Sequence, residues 1–195
     1  MKIASWNVNS LKVRLPQVLD WINSNQPDVL CLQETKQNND NFPHDVFDQE
    51  GLFSYHNGQN TYNGVALISN KELTNVQLDI PNFNDEQKRF ISGIYTNSDG
   101  CKYRLISAYI PNGQTLNSEK FEYKINWLKK FLHFLQKKNN GIENIITGDF
   151  NIAPTKLDCY ESKSWDDKIL VSPQERAYFN KLLDLGFIDT FREIH

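Results

Sequence analysis

Short apolar runs recur along the chain, and most of them end at a polar residue or a turn. Runs of this length, bounded by turn residues, are typical of buried strands. Strands are predicted at residues 2–6, 28–33, 64–69, 76–80, 90–95, 103–108 and 142–148. Turn chemistry beside them comes from Asn-Gly or Asp-Gly pairs at 57–58, 63–64 and 99–100.

Helical periodicity separates the groups of strands. Apolar residues at i, i+3, i+4 and i+7 predict an amphipathic helix after the first strand: Leu15, Val18, Leu19 and Ile22. A short helical turn is predicted within residues 42–52, and the longest helix at 118–138. The buried face of the longest helix is predicted to be Phe121, Ile125, Leu128, Leu132 and Leu135, with Gly141 ending the helix. A capping box at residues 172–175, with proline at the first helical position, begins the last helix, which ends near Gly186.

Strands with helices between them predict a layered α/β architecture, and the pattern alone leaves parallel and mixed sheets both open. The length of 195 residues suits one domain, residues 1–195, with a sizeable core. A net charge of −3 and a pI of about 5.8 are no bulk signature of a nucleic-acid binder and slightly favour a small-molecule enzyme. A nucleic-acid interface would therefore need a local positive surface.

The three cysteines are widely spaced and form no CxxC pair, so neither a disulfide framework nor a zinc site is expected. Cys31 lies within a strand and is predicted to be a buried structural thiol. Reduced thiols, the lack of a signal-peptide segment and the lack of a bilayer-spanning run together predict a cytoplasmic protein without membrane contact.

Polar side chains stand where several predicted strands end, and these are the candidate functional residues: Asn7, Glu34, Tyr109, Asp149 and Asn151. In α/β proteins, ligands gather at the carboxyl ends of strands, so we expect one site built from these distant segments. Two carboxylates with amide and phenol partners, and no thiolate, suit a hard cation such as Mg²⁺. That combination predicts phosphate-ester chemistry.

The sequences around these residues resemble the exonuclease III family of apurinic/apyrimidinic endonucleases. The resemblance covers the whole chain in the expected order, and its motifs lie at residues 6–10, 32–36, 109–113, 148–154 and 187–192. Members are Mg²⁺-dependent DNA repair nucleases of the endonuclease/exonuclease/phosphatase superfamily. The resemblance implies a four-layer α/β sandwich in which helices flank two packed mixed β-sheets.

The resemblance also implies residue roles. Asp149 matches the aspartate that orients or deprotonates the attacking water, and Asn151 matches the asparagine that holds the phosphate or that water. Tyr109 would donate its hydroxyl to a phosphate oxygen. Glu34 is the expected metal ligand, and Asn7 would fix the metal or hydrogen-bond Asp149. The structural alternatives are an exposed turn glutamate, an Asx-turn at Asp149 and a packing role for Tyr109.

Three further residues are predicted to contact DNA. Lys120 falls in a segment that resembles one contacting the DNA backbone, and Arg89 matches a basic position at a strand start. Asn112 shapes the loop after Tyr109. The alternative for Lys120 and Arg89 is a plain solvated charge. The cofactor implied is Mg²⁺, with Mn²⁺ as a substitute, and the partner is double-stranded DNA, especially abasic sites and 3′ ends, bound by a monomer in base excision repair.

One part of the family pattern is not found. Family members complete the site with a Ser-Asp-His segment near the C-terminus and an Ile-Asp strand pair before it. This chain contains neither, and His195 matches a structural position. We therefore expect a C-terminally incomplete member, with the last strands missing and little activity. The alternatives are an inactive DNA- or partner-binding remnant, or another enzyme of the superfamily such as a phosphoinositide phosphatase or a sphingomyelinase.

Overall fold

The computed structural model describes residues 1–137, 141–165 and 168–195. The chain forms two compact units, Met1–Tyr109 with Asn139–Asp149, and Ile110–Lys138 with Phe150–His195. The described part of the first unit contains two α-helices, α1 (Leu11–Asn25) and α2 (His44–Gln49), and a 3-10 helix at Asn39–Asn41. Its strands are β1 (Ile3–Asn7), β2 (Val29–Gln33), β3 (Phe53–Asn57), β4 (Val65–Ser69), β5 (Thr74–Gln77), β6 (Phe90–Thr96), β7 (Lys102–Tyr109) and β8 (Glu143–Asp149).

The strands of the first unit form two four-stranded mixed sheets, in the orders β1-β2-β4-β3 and β5-β6-β7-β8. The pairs β1/β2 and β7/β8 are parallel, and the other pairs are antiparallel. A parallel pair needs a crossover, which α1 supplies between β1 and β2. The predicted α/β class, with two mixed sheets flanked by helices, is confirmed.

The core of the first unit follows from the two-residue period of β2. Leu30 and Leu32 point to the side covered by α1 and α2, where they pack with Val18 and Phe47. Val29 and Cys31 point the other way, into the layer between the sheets. Because both faces are covered, β2 is apolar throughout, as expected for a strand buried on two sides. Burial raises the pKa of the Cys31 thiol to about 12, so the prediction of a buried structural thiol is confirmed.

The second unit contains the helices α3 (Glu119–Leu135), α4 (Pro173–Asp184) and α5 (Thr190–Ile194). Ser118 caps α3, because its side chain accepts a hydrogen bond from the Phe121 amide. The predicted capping box is present at the start of α4. Among the described residues, no helix has both the length and the hydropathy needed to cross a membrane.

Three local predictions need correction. The helix α3 ends at Leu135 and is capped at Gln136, so Gly141 does not end it, and the predicted end at Lys138 lies outside the described residues. The strand predicted at 76–80 lies instead at 74–77. The buried face of α3 also includes Lys124, Trp127 and Phe131, whereas Ile125 is only partly buried. The apolar periodicity predicts one stripe of this face, and the structure adds the aromatic residues beside that stripe.

Candidate active site

Four of the predicted site residues meet in the first unit, at the carboxyl ends of strands from both sheets. Asn7 is the last residue of β1, and Glu34 directly follows β2. Tyr109 and Asp149 are the last residues of β7 and β8, and they are paired across these two parallel strands. Because parallel strands end at the same edge, the register itself sets these side chains next to each other.

One amide joins the two carboxylates. Asn7 Nδ2 donates to Glu34 Oε1 at 2.9 Å and to Asp149 Oδ2 at 3.0 Å. Glu34 is also hydrogen-bonded to the side chain of Tyr109. We call Asn7, Glu34, Tyr109 and Asp149 the strand-end cluster. All four are partly buried, which leaves the cluster open to a ligand.

The backbone at Glu34 is unusual and firmly held. Its φ of +53° lies in the left-handed region, which is uncommon for a residue other than glycine and is typical of functional sites when neighbours hold it in place. The Glu34 carbonyl accepts a hydrogen bond from the Ser10 amide at 2.7 Å. The next amide, that of Thr35, donates to the Gly64 carbonyl at 3.1 Å. Loops on either side therefore fix the direction of the Glu34 side chain.

Gly148 allows the close approach that sets Asp149 beside Tyr109. A Cβ atom at this position would lie 1.9 Å from the carbonyl oxygen of Ala108, its partner on β7. Its φ of +143° is likewise one that side-chain-bearing residues rarely adopt. The glycine before Asp149 is therefore a geometric requirement of the site.

The electrostatics set the protonation of Glu34 and Tyr109. Burial by itself would raise the pKa of Glu34, but hydrogen bonds from Asn7, Tyr109 and Lys36 outweigh it, and the pKa lies below its usual value. Lys36 Nζ lies 3.1 Å from Glu34 Oε2. Burial, together with the hydrogen bond to the Glu34 carboxylate and its charge, raises the pKa of Tyr109 to about 12. At neutral pH, Glu34 is thus ionised and Tyr109 keeps its proton to donate.

Arg89, which directly precedes β6, contacts Tyr109. Its guanidinium carbon lies 4.6 Å from the centre of the Tyr109 ring, and Nη1 donates to the Tyr109 carbonyl at 3.2 Å. The Tyr109 amide in turn donates to the Arg89 carbonyl at 2.8 Å. In the structure, Arg89 therefore holds Tyr109, and its contact with DNA stays a prediction.

The remaining predicted site residues lie in the second unit. Asn112 Nδ2 donates to Asn151 Oδ1 at 3.1 Å, and Asn151 Nδ2 donates to the carbonyl of Ile110 at 2.9 Å. Asn151 follows Asp149 by two residues and has a left-handed φ of +48°. Lys120 is exposed in the first turn of α3. The structure thus joins Asn112 to Asn151.

The sequence-based prediction does not include Lys124 as a functional candidate. Lys124 is completely buried and forms an ion pair with the equally buried Glu175. The signal was available, since Lys124 lies three residues after Phe121 and four before Leu128, on the apolar face of α3.

The strand-end cluster fits a magnesium ion. Among the described residues, no group of three or more His, Cys, Asp or Glu side chains could hold a metal. Mg²⁺ does not need such a group, because it keeps several waters and usually binds one or two carboxylates. Glu34 and Asp149 are two such carboxylates joined through one amide. Asn7 Oδ1 accepts a hydrogen bond from the Asn9 amide at 3.1 Å, so here Asn7 orients the carboxylates, and metal ligation by Asn7 stays a prediction.

Comparison with known proteins agrees with this geometry. Residues 4–185 match the model of the endonuclease/exonuclease/phosphatase family. Exodeoxyribonuclease III of Haemophilus influenzae is 33% identical over 204 residues, which cover 100% of this chain and 76% of that protein. The DNA repair nuclease APEX1 of Danio rerio is 31% identical, and the chain, matched in full, spans only 63% of that relative.

Solved structures show the same likeness. The 3′-5′ exonuclease NExo from Neisseria meningitidis has a TM-score of 0.94 and 42% identity, over 100% of this chain and 75% of that one. An AP endonuclease from Archaeoglobus fulgidus has a TM-score of 0.89 and 32% identity, over 99% of this chain and 74% of that one. The chain belongs to the endonuclease/exonuclease/phosphatase family, and the recognised resemblance to its exonuclease III-type nucleases is confirmed.

Proposed function

We propose that this protein is a Mg²⁺-dependent phosphodiesterase of the exodeoxyribonuclease III and abasic endonuclease type. Its substrate would be double-stranded DNA at abasic sites and 3′ ends, in base excision repair. The observation that carries the proposal is the strand-end cluster, in which Asn7 joins an ionised Glu34 to Asp149 beside the hydroxyl of Tyr109. The names of the relatives, an exodeoxyribonuclease III and a DNA repair nuclease, support the same class. We further propose that residues 1–195 act as one domain, in a cytoplasmic monomer.

Glu34, with Asn7 beside it, would hold Mg²⁺, and Mn²⁺ would be accepted as a substitute because it also prefers oxygen ligands. The cation would neutralise charge on the phosphate oxygens. Two carboxylates held close together by one amide supply the oxygen ligands that Mg²⁺ prefers.

Each of the other site residues would then have its own role in phosphodiester hydrolysis. The Tyr109 hydroxyl, which stays protonated, donates a hydrogen bond to a non-bridging phosphate oxygen. Asp149 orients the attacking water and takes its proton. The Asn151 amide holds the phosphate or that water. Arg89, Lys120 and Asn112 would contact the DNA, which gives the local positive surface that an acidic chain needs.

The direct test is cleavage of a duplex with one abasic site by the purified chain, with Mg²⁺ and with a chelator. We expect a low rate of incision that depends on the metal and is lost in Asp149→Asn. Duplex binding without incision under every metal condition would instead select the alternative of a non-catalytic DNA-binding protein. Hydrolysis of a phosphoinositide or of sphingomyelin, with the duplex left intact, would select another enzyme of the superfamily.

A second candidate, removal of blocking groups at 3′ ends, is favoured by the likeness to NExo. A structure of NExo from Neisseria, described as a 3′ phosphatase bound to a product DNA hairpin, has 41% identity and a TM-score of 0.94. Matched duplexes that carry an abasic site, a 3′-phosphate or a 3′-hydroxyl separate the activities. Faster release of phosphate than incision at the abasic site would support 3′-end processing as the main activity.

A further inference from the structure

The helix α3 buries a charged side chain in the second unit. Lys124 is 0% exposed, although lysine is almost never fully buried unless it is paired. Its aliphatic stem passes directly under Gly113, where a Cβ atom would lie 3.2 Å from Lys124 Cδ. The ammonium group of Lys124 therefore lies in the interior of the second unit, out of contact with solvent.

At that point the ammonium group meets three acceptors, as many as it has hydrogens. One is the carboxylate of Glu175, through Oε1. The other two are main-chain carbonyls, that of Asn151 at 2.6 Å and that of Asn112 at 3.2 Å. We call Lys124, Glu175, Asn112 and Asn151 the lysine clamp.

The Glu175 carboxylate is equally well satisfied. Its Oε1 also accepts from the Leu170 amide at 3.1 Å, and its Oε2 accepts from the Ser172 amide at 3.1 Å and the Ser172 hydroxyl at 2.6 Å. The capping box at the start of α4 needs only Ser172 and Glu175. The cap thus does not explain why a lysine, and not another apolar residue, stands at position 124.

Stability alone does not explain the lysine either. A buried ion pair replaced by apolar residues of similar volume is often neutral or more stable, because desolvation offsets the attraction between the charges. What an apolar residue could not do is hold two carbonyl groups. Both carbonyls belong to candidate site residues, and the side chains of these residues are bonded to each other. Asn151, which has a left-handed φ, is thus hydrogen-bonded to Lys124 through its main-chain carbonyl.

We propose that Lys124 is a positioning residue for phosphate recognition, which sets Asn151 and Asn112 through their main-chain carbonyls, with Glu175 as its buried counter-ion. This inference rests on the proposed function, in which Asn151 contacts the phosphate or the attacking water. Lys124 touches neither substrate nor water in this scheme. It acts through the place and orientation that it gives to the Asn151 amide.

The test compares three variants of the full chain. Lys124→Met keeps an unbranched stem but removes the ammonium group. Lys124→Met with Glu175→Gln removes both charges, so that no buried charge is left without its partner. Leu128→Ala, on the same helix and 2% exposed in the wild type, is the control for simple loss of packing. The readouts are melting temperature, kcat and KM on a metal-dependent DNA substrate, and the NMR shifts of the Asn151 and Asn112 side-chain amides.

If Lys124 is a positioning residue, the melting temperature and kcat should not change in parallel across the three variants. Lys124→Met should lower the melting temperature and lower kcat by about a hundredfold, with a smaller change in KM, since a misplaced group of this kind can cost that factor. The double variant should recover melting temperature but not kcat. Leu128→Ala should lower melting temperature and leave kcat and the two amide shifts near those of the wild type.

Two outcomes would overturn the proposal. One is recovery of kcat together with melting temperature in the double variant, which a purely structural pair predicts. The other is unchanged Asn151 and Asn112 amide shifts in a folded Lys124 variant. If the wild-type chain cleaves no DNA, the amide shifts still decide the positioning role, and the lack of cleavage counts against the proposed function alone.

Discussion

The strand-end cluster and the lysine clamp both contain charged and amide-bearing residues, but they differ in solvent exposure. In the strand-end cluster, the polar atoms are side chains at the ends of strands, and the Glu34 side chain is still 19% exposed. In the lysine clamp, both charged side chains are 0% exposed, and the ammonium group reaches main-chain carbonyls. Polar groups that bind a ligand must remain partly exposed to solvent. Polar groups that only stabilise the local structure can be completely buried.

The two clusters also differ in the balance of charged groups within each cluster. In the clamp, one ammonium group faces one carboxylate, and the charges cancel. In the strand-end cluster, two carboxylates share one neutral amide, and the nearby Lys36 pairs with Glu34. The clamp thus contains its own cation, whereas the cation of the strand-end cluster is the Mg²⁺ of the proposed function.

The largest effect is expected for Asp149→Asn in the strand-end cluster. Cleavage of abasic DNA should fall by at least about a thousandfold, since the group that activates the water is neutralised. DNA binding, measured with a chelator present, should survive or tighten, because one negative charge facing the phosphates is lost. Asp158→Asn is the matched control, because the ion pair of Asp158 with Arg192 and its hydrogen bonds from Thr155 involve no residue of the strand-end cluster. Full cleavage by Asp149→Asn would contradict the role of Asp149.

The next effect is on metal affinity. Glu34→Gln removes a charge at a strand end without removing a core contact, so the fold should remain. Loss of an outer partner of a metal site typically costs about 10–100-fold in affinity, and loss of a charged ligand should cost at least that much. Calorimetric titration with Mg²⁺ measures the change, and Glu143→Gln, at the exposed other end of β8, is the control. Equal Mg²⁺ affinity in Glu34→Gln and wild type would place the metal elsewhere.

The sequence predicted the members of the strand-end cluster because each one stands at the end of a predicted strand. Glu34 and Asp149 follow apolar runs, and such runs have a readable length and end. The contact that joins them was beyond local pattern, since Asn7 and Asp149 are 142 residues apart. Only the strand order of two sheets brings them together. The positive φ of Glu34 likewise depends on loops from elsewhere in the chain.

The sequence does not predict the lysine clamp, because lysine and glutamate side chains are rarely buried completely. A lysine is usually a solvated charge, so the sequence pattern does not mark Lys124 as buried, although it lies on the apolar face of α3. Glu175 was recognised, but only as part of a capping box. Its partner lies 51 residues away, and nothing in either local sequence identifies the other. Buried pairs of this kind become visible only when the helices are in place.

Acid should weaken the first unit through a buried neutral histidine. His56 is stacked on Phe42 at 4.1 Å and shares a 2.8 Å hydrogen bond with Thr35 Oγ1. Burial, helped by the nearby His44, lowers the pKa of His56 from 6.5 to about 3. Between these two values the unfolded chain binds the extra proton, so stability is full above pH 6.5 and is lost as the pH falls towards 3.

The size of this loss follows from the same pKa difference. From pH 6.5 to 5 the contribution of His56 should be about 2 kcal/mol of unfolding free energy. Chemical denaturation of wild type and His56→Gln at several pH values measures it, with the exposed His133→Gln as control. The His56→Gln curve should be flatter than the other two. Three parallel curves would show that His56 carries no acid sensitivity.

The smallest effect separates helix stability from chemistry. Ser172 accepts a hydrogen bond from the Glu175 amide and donates one to the Glu175 carboxylate, so Ser172→Ala should cost about 1 kcal/mol, the usual loss for an N-cap. Mg²⁺ affinity should not change, because Ser172 belongs to the second unit and no carboxylate of the strand-end cluster is altered. Denaturation and calorimetric titration of the same samples check both statements. A changed Mg²⁺ affinity at an unchanged melting temperature would mean that Ser172 serves the metal site and not the helix, and the division between the two clusters would then be wrong.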